Sequence, residues 1–271
     1  MEQKIILLWP DGEAPYTAQS PNQAQPSIKA FEAEGADIAI VVCPGGAYFL
    51  KTPHEGDPPA AAMRDRGFSC YVLDYRVKPC DPMAPLSDAL RAIRIVRAMG
   101  YRRVGIMGFS AGGHIACCAA VYGDAGDPGA ADPVDRLPSR PDFFVPCYAV
   151  VSFTQYPHIG SVADLLGDPD QHDLRRRFSA ELNVTPQTPP AFIWHTANDG
   201  LVPAEHSLLL AGALSRCGVR YELHIYPDGP HGLGNGQLPP EIAQAFGITE
   251  PLPGVADWPD DCARFIRYVC R

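Results

Sequence analysis

The 271-residue chain reads as an α/β protein, with a mostly parallel central sheet flanked by helices on both faces. Three observations carry that expectation. Short continuous apolar runs, clearest at Asp37 to Cys43 and Val104 to Met107, have the length and β-branched content of strands buried on both faces. Between such runs lie stretches with apolar residues at helical spacing, so strand and helix alternate along the chain. The length suits one core, and residues 1–271 are read as a single domain.

Residues 4–9 form a first short strand, and the Pro-rich stretch 10–27 reads as a loop. The strand over Asp37 to Cys43 runs into Pro44-Gly45-Gly46, a glycine turn at its carboxyl end, where open α/β sheets place ligands. A helix over Pro58 to Arg66 leads to a strand over Phe68 to Val77, where Asp74 and Arg76 are read as a buried ion pair. Pro85 opens a helix with Leu86, Leu90, Ile93 and Val96 on one face. Its Arg91, Arg94 and Arg97 are read as a solvated face. After the strand at 104–107 comes a helix from Ala111 to about Val121. A surface loop then runs from Tyr122 to Pro141, rich in Gly, Asp and Pro, at the amino ends of the strands.

Phe143 to Phe153 reads as a strand. The segment from there to Pro189, with a helix around His172–Phe178, is expected to face substrate. Ala191 to Trp194 is the next strand, and Pro203 opens a helix with Leu208, Leu209, Ala213 and Leu214 inward and Gly218 past its end. Tyr221, Leu223 and Ile225 alternate as a strand, and Asp257 to Tyr268 closes the chain as a helix.

Composition narrows the partners. A formal charge of −9 disfavours nucleic acid and anionic membranes, both of which reward a basic face. No apolar span reaches transmembrane length, and Ile5 to Trp9 is too short for a signal sequence. The nine cysteines are odd in number and lie mostly in apolar segments, which fits reduced packing residues in a cytoplasmic protein. A small neutral substrate is the expected partner, no cofactor or metal is expected, and self-association is left open.

Gly108-Phe109-Ser110-Ala111-Gly112 reads G-x-S-x-G between a strand and a helix, the context of a nucleophile on a sharp turn. A serine hydroxyl needs a general base, and the base needs an acid to fix its tautomer. His231 and Asp199 both follow strands, and Ser110, Asp199 and His231 come in the chain order of α/β-hydrolases. Asp228 is the rival acid, but it stands only three positions before His231. The remaining histidines, His54, His114, His158, His172, His195, His206 and His224, are read as structural or surface groups; of these only His158 is placed to approach substrate, and a surface reading is favoured for it too. Amides of Ala111, after the nucleophile, and of Gly46 and Ala47, after the early strand, are the candidate oxyanion donors.

Beyond these single motifs, PGGAY (44–48), DYR (74–76), GFSAGGH (108–114), LLG (165–167), TPPAFIWHTANDGLVP (188–203) and GPHGLG (229–234) resemble the α/β-hydrolase esterases of the acetyl-xylan esterase or xylanase-B-like family. These are related to prolyl-oligopeptidase and hormone-sensitive-lipase-type hydrolases. The resemblance implies an α/β-hydrolase fold and a serine carboxylesterase for short, acetyl-type esters of sugars or oligosaccharides. The family usually carries a third glycine in the oxyanion loop. Ala47 stands there instead, keeping its amide while its methyl narrows the acyl pocket. A small serine peptidase of the prolyl-oligopeptidase type and a non-catalytic ligand-binding hydrolase fold are the alternatives.

Overall fold

The computed structural model describes residues 4–20, 23–236, 240–245, 247–250, 252 and 254–271. Residues 1–3 of the first segment and 21–22 of the Pro-rich loop lie outside the described residues. The chain begins with β1 (Ile5–Leu7), β2 (Ser27–Phe31), β3 (Ile38–Cys43), α1 (Asp57–Arg64), β4 (Ser69–Asp74) and α2 (Ala84–Ala98). β5 (Arg103–Phe109), α3 (Ala111–Tyr122), β6 (Phe144–Cys147), α4 (Ile159–Leu166) and α5 (His172–Arg177) follow. β7 (Ala191–Thr196), α6 (Glu205–Arg216), β8 (Tyr221–Tyr226), α7 (Pro240–Ala245) and α8 (Trp258–Val269) complete it.

The eight strands form one sheet in the order β1-β2-β4-β3-β5-β6-β7-β8. β2 runs antiparallel to both neighbours, and every pair from β4 to β8 is parallel. Alternation along the strands divides the core in two. Ala39, Val41, Tyr71, Leu73, Val104 and Ile106 face the layer of α2, α3 and α6, whereas Ile40, Val42, Met107, Phe109, Phe192 and Trp194 face α1 and α8. Trp258 pins α8 to the sheet by stacking on Trp194, with ring centroids 5.4 Å apart. No helix among the described residues is long and apolar enough to cross a membrane.

Four local expectations are corrected. The segment read as a loop over 10–27 contains a 3₁₀ turn at Thr17–Gln19 and ends where β2 starts. β2 was hidden because it is short and buries only Ile28 and Phe31. β6 stops at Cys147 instead of running to Phe153, since Tyr148 takes a left-handed φ of 35° and leads the chain out of the sheet. Arg76 pairs not with Asp74 but with buried Asp88, at 2.5 Å, and Asp74 pairs with Lys51.

The arginine row of α2 is not a solvated face. Arg91 binds Asp132 and Asp135, Arg94 binds Asp124 at 2.8 Å, and Arg97 binds Asp142 at 3.0 Å. The acidic loop over 122–142 supplies all four carboxylates, so charge in one segment answers charge in the other. That loop lies at the amino end of β5, where the Asp142 carboxylate accepts from the Val104 amide at 2.9 Å.

Candidate active site

β5 delivers Ser110 on a strained turn, with φ 53° and ψ −119°, from which α3 starts at once. Such a conformation costs an L-residue about 1–3 kcal/mol and persists only where its surroundings hold it. Here they do. The Ser110 amide donates to the Cys147 carbonyl at 3.1 Å, and the Ser110 carbonyl accepts from the amides of His114 and Val150. The flanking glycines are steric necessities: a Cβ on Gly108 would lie 2.1 Å from the Gly112 carbonyl oxygen, and one on Gly112 would lie 2.1 Å from that of Cys43.

The ends of β7 and β8 bring Asp199 and His231 to this serine. His231 Nε2 lies 2.7 Å from Ser110 Oγ, and His231 Nδ1 lies 2.7 Å from Asp199 Oδ2. The other carboxylate oxygen, Oδ1, accepts from the amides of Leu201 and Val202, each at 2.9 Å. Burial pushes the Asp199 carboxyl up. Hydrogen bonds from His195 and His231, with the His231 charge and the Val202 amide, outweigh it and hold the group well below the usual carboxylate range. An ionised carboxylate only accepts, so His231 Nδ1 carries the proton and Nε2 is left to accept from the serine hydroxyl. Asp228, the rival acid, accepts instead from Asn198 Nδ2 at 3.2 Å.

The glycine turn after β3 lies beside the serine because Cys43 pairs in register with Gly108. Gly46, Ala47 and Tyr48 are consecutive left-handed residues, at φ 121°, 54° and 65°. Among the described residues the amides of Gly46, Ala47 and Ala111 meet no acceptor. Tyr48 anchors the turn to α3 through a 2.5 Å hydrogen bond to His114 Nδ1. His114 Nε2 in turn donates to the Phe178 carbonyl at 2.6 Å, while burial lowers this histidine to about 4 and keeps it neutral.

Sequence reasoning missed Glu55. This buried carboxylate accepts from the Gly45 amide at 3.0 Å, from the Thr52 hydroxyl, and from the Tyr148 hydroxyl at 2.7 Å. The Tyr148 oxygen accepts from the Gly234 amide at 2.9 Å, so Glu55 ties the glycine turn to the loop that carries His231. The one available signal was that Glu55 is the sole acidic residue between Pro44 and Gly56, just after a glycine turn at a strand's carboxyl end.

A BD-FAE family pattern matches residues 30–214, which include β5 with its serine turn and the end of β7 with Asp199. The chain belongs to the BD-FAE family. Among its BD-FAE chain's relatives, the endo-1,4-beta-xylanase B of Butyrivibrio fibrisolvens is 36% identical over 72% of the chain and 32% of its own length. The acetylxylan esterase of Xylanibacter ruminicola is 32% identical over 73% of the chain and 41% of its own length. The chain thus spans well under half the length of both. An acetyl ester-xyloside bifunctional hydrolase from Caldicellulosiruptor lactoaceticus is 36% identical and superposes with a TM-score of 0.87 over 98% of this chain and 96% of that one. The fold is that of the α/β-hydrolases.

In this BD-FAE chain a cavity of about 510 Å³ opens over Ser110 and His231, walled by Gly46, Ala47, Glu55 and Leu201. His158, read as a surface group, is half-buried at the start of α4 and lines that cavity. It is the only residue of the 153–190 segment on the cavity wall among the described residues, so the expected substrate-facing role narrows to one side chain. His54 also lines it, with Nε2 donating to the Gly232 carbonyl at 3.0 Å. His195 and His206 are wholly buried within the core.

Proposed function

We propose that this protein is a serine carboxylesterase that removes short acyl groups, acetyl above all, from hydroxyls of sugars or oligosaccharides. The observation that carries the reading is the hydrogen-bonded series Ser110–His231–Asp199, set at a cavity beside three backbone amides that have no other acceptor among the described residues. Similarity to an acetylxylan esterase and to an acetyl ester-xyloside bifunctional hydrolase supports the substrate class.

In this mechanism Ser110 Oγ attacks the ester carbonyl carbon while its proton passes to His231 Nε2. Asp199 steadies the imidazolium through Nδ1. The carbonyl oxygen gains its charge between the amides of Gly46, Ala47 and Ala111, each such donor contributing about 3 kcal/mol to the transition state. His231 then returns the proton to the departing alcohol oxygen, leaving acetyl on Ser110. Water, deprotonated by the same histidine, releases acetate and restores the serine. Every step uses protein groups and water.

Residues 1–271 act as one domain in this reading, on a small-molecule ester. Nine free cysteines, seven of them buried, support a reducing, cytoplasmic setting. The test is hydrolysis of nitrophenyl esters from acetate to octanoate, run beside Ser110→Ala. The expected result is cleavage fastest for acetate, falling steeply by butyrate and lost in a folded Ser110→Ala protein. Turnover that survives in Ser110→Ala overturns the reading.

A further inference from the structure

His158 caps α4, and its Nδ1 accepts from the Ser161 amide at 3.2 Å, with Ser161 Oγ 2.8 Å away. A backbone amide can only donate, so Nδ1 holds a lone pair and the neutral ring carries its proton on Nε2. Burial, and then the neighbouring His231 charge, lower the His158 pKa and favour that neutral form. Among the described residues no acceptor meets Nε2, on a ring that lines the cavity shared by Ser110 and His231. The site therefore holds one polar donor beyond those the ester chemistry uses.

The chemistry of an acetyl ester decides what that donor can meet. The carbonyl oxygen belongs to the three backbone amides, and the methyl group accepts nothing. The remaining acceptors lie on the alcohol half. We propose that His158 recognises that half, donating from Nε2 to a hydroxyl or ring oxygen of a sugar. His158 is then a specificity residue for polyhydroxylated alcohols. This rests on the esterase reading above.

His158→Asn separates recognition from folding, since asparagine is a strong N-cap that keeps an acceptor for the Ser161 amide while deleting the ring donor. Three acetates are compared: an acetylated xylo-oligosaccharide, ethyl acetate and nitrophenyl acetate. The expected result is that kcat/KM for the sugar acetate relative to ethyl acetate falls about tenfold, the loss of one good hydrogen bond. The ratio of ethyl to nitrophenyl acetate should not move. An unchanged sugar-to-ethyl ratio overturns the proposal. A fall in the ethyl-to-nitrophenyl ratio overturns it as well, because His158 would then be assisting the leaving oxygen. Wild type that cleaves nitrophenyl acetate but no sugar acetate defeats the sugar reading itself and this proposal with it. Calorimetric binding of unacetylated xylotriose to Ser110→Ala, with and without His158→Asn, reads the same contact without catalysis, and weaker binding in the double variant is expected; equal binding contradicts the assignment.

Discussion

Asp199 is the most heavily committed side chain of the site: two amides hold one of its oxygens, and His231 with His195, at 2.7 and 3.4 Å, share the other. Replacing it by asparagine turns one acceptor into a donor and favours the wrong imidazole tautomer. Asp199→Asn should therefore lower kcat by about 10⁴-fold, whereas Asp228→Asn should stay within about threefold. Steady-state kinetics of both variants check this, and the reverse ranking would reassign the acid. Ala47 offers a second test. At φ 54° it carries a left-handed penalty of about 1 kcal/mol that glycine escapes, so Ala47→Gly should raise the unfolding free energy by about that amount in urea titrations. The same change removes the methyl from the cavity wall and should extend the acyl range toward butyrate.

The glycine turn, the serine turn and the histidine loop work as one assembly at the level of elements, because buried groups from distant strands join them. Ser110, Asp199 and His231 were legible in the sequence: each follows a strand, the serine brings its glycines with it, and the topology fixes their order. His158 was legible in part, as the one further histidine able to approach substrate, though a surface place was the favoured reading. Glu55 and Asp88 were not, because their partners, Tyr148 and Arg76, meet them only in three dimensions, and no periodicity marks such a meeting. The arginines of α2 failed for a related reason, since helical spacing shows that three cations share a face but not that an acidic loop covers it. The buried Arg76–Asp88 pair joins the end of β4 to α2. Removing the cation alone, in Arg76→Ala, should cost about 3–5 kcal/mol by leaving a buried carboxylate without its partner. A loss below about 1 kcal/mol in chemical denaturation would contradict that role.

Across the whole molecule, buried neutral histidines set the acid limit. His114 and His206 are both lowered to about 4, chiefly by burial, from an ordinary value of 6.5. Between those values the unfolded chain binds protons that the native state refuses, so stability falls as pH drops from about 6.5 to about 4. Each histidine contributes on the order of 3 kcal/mol to that loss once it is complete. Asp199 acts lower still. Its depressed pKa stabilises the fold above the unfolded value near 4, and that contribution disappears as pH falls further. Urea midpoints should accordingly drop by pH 5 relative to pH 7, and a flat profile would mean these histidines titrate normally. The architecture itself was readable, because parallel strands buried on both faces leave continuous apolar runs, while a short antiparallel strand such as β2, with only Ile28 and Phe31 buried, leaves almost none.

The proposed esterase chemistry depends on one covalent step, acylation of Ser110. Enzyme quenched in acid during turnover of nitrophenyl acetate, digested and examined by mass spectrometry, should carry one acetyl group on the peptide containing Ser110. An acetyl group on any other side chain of an enzyme that is turning over would contradict it.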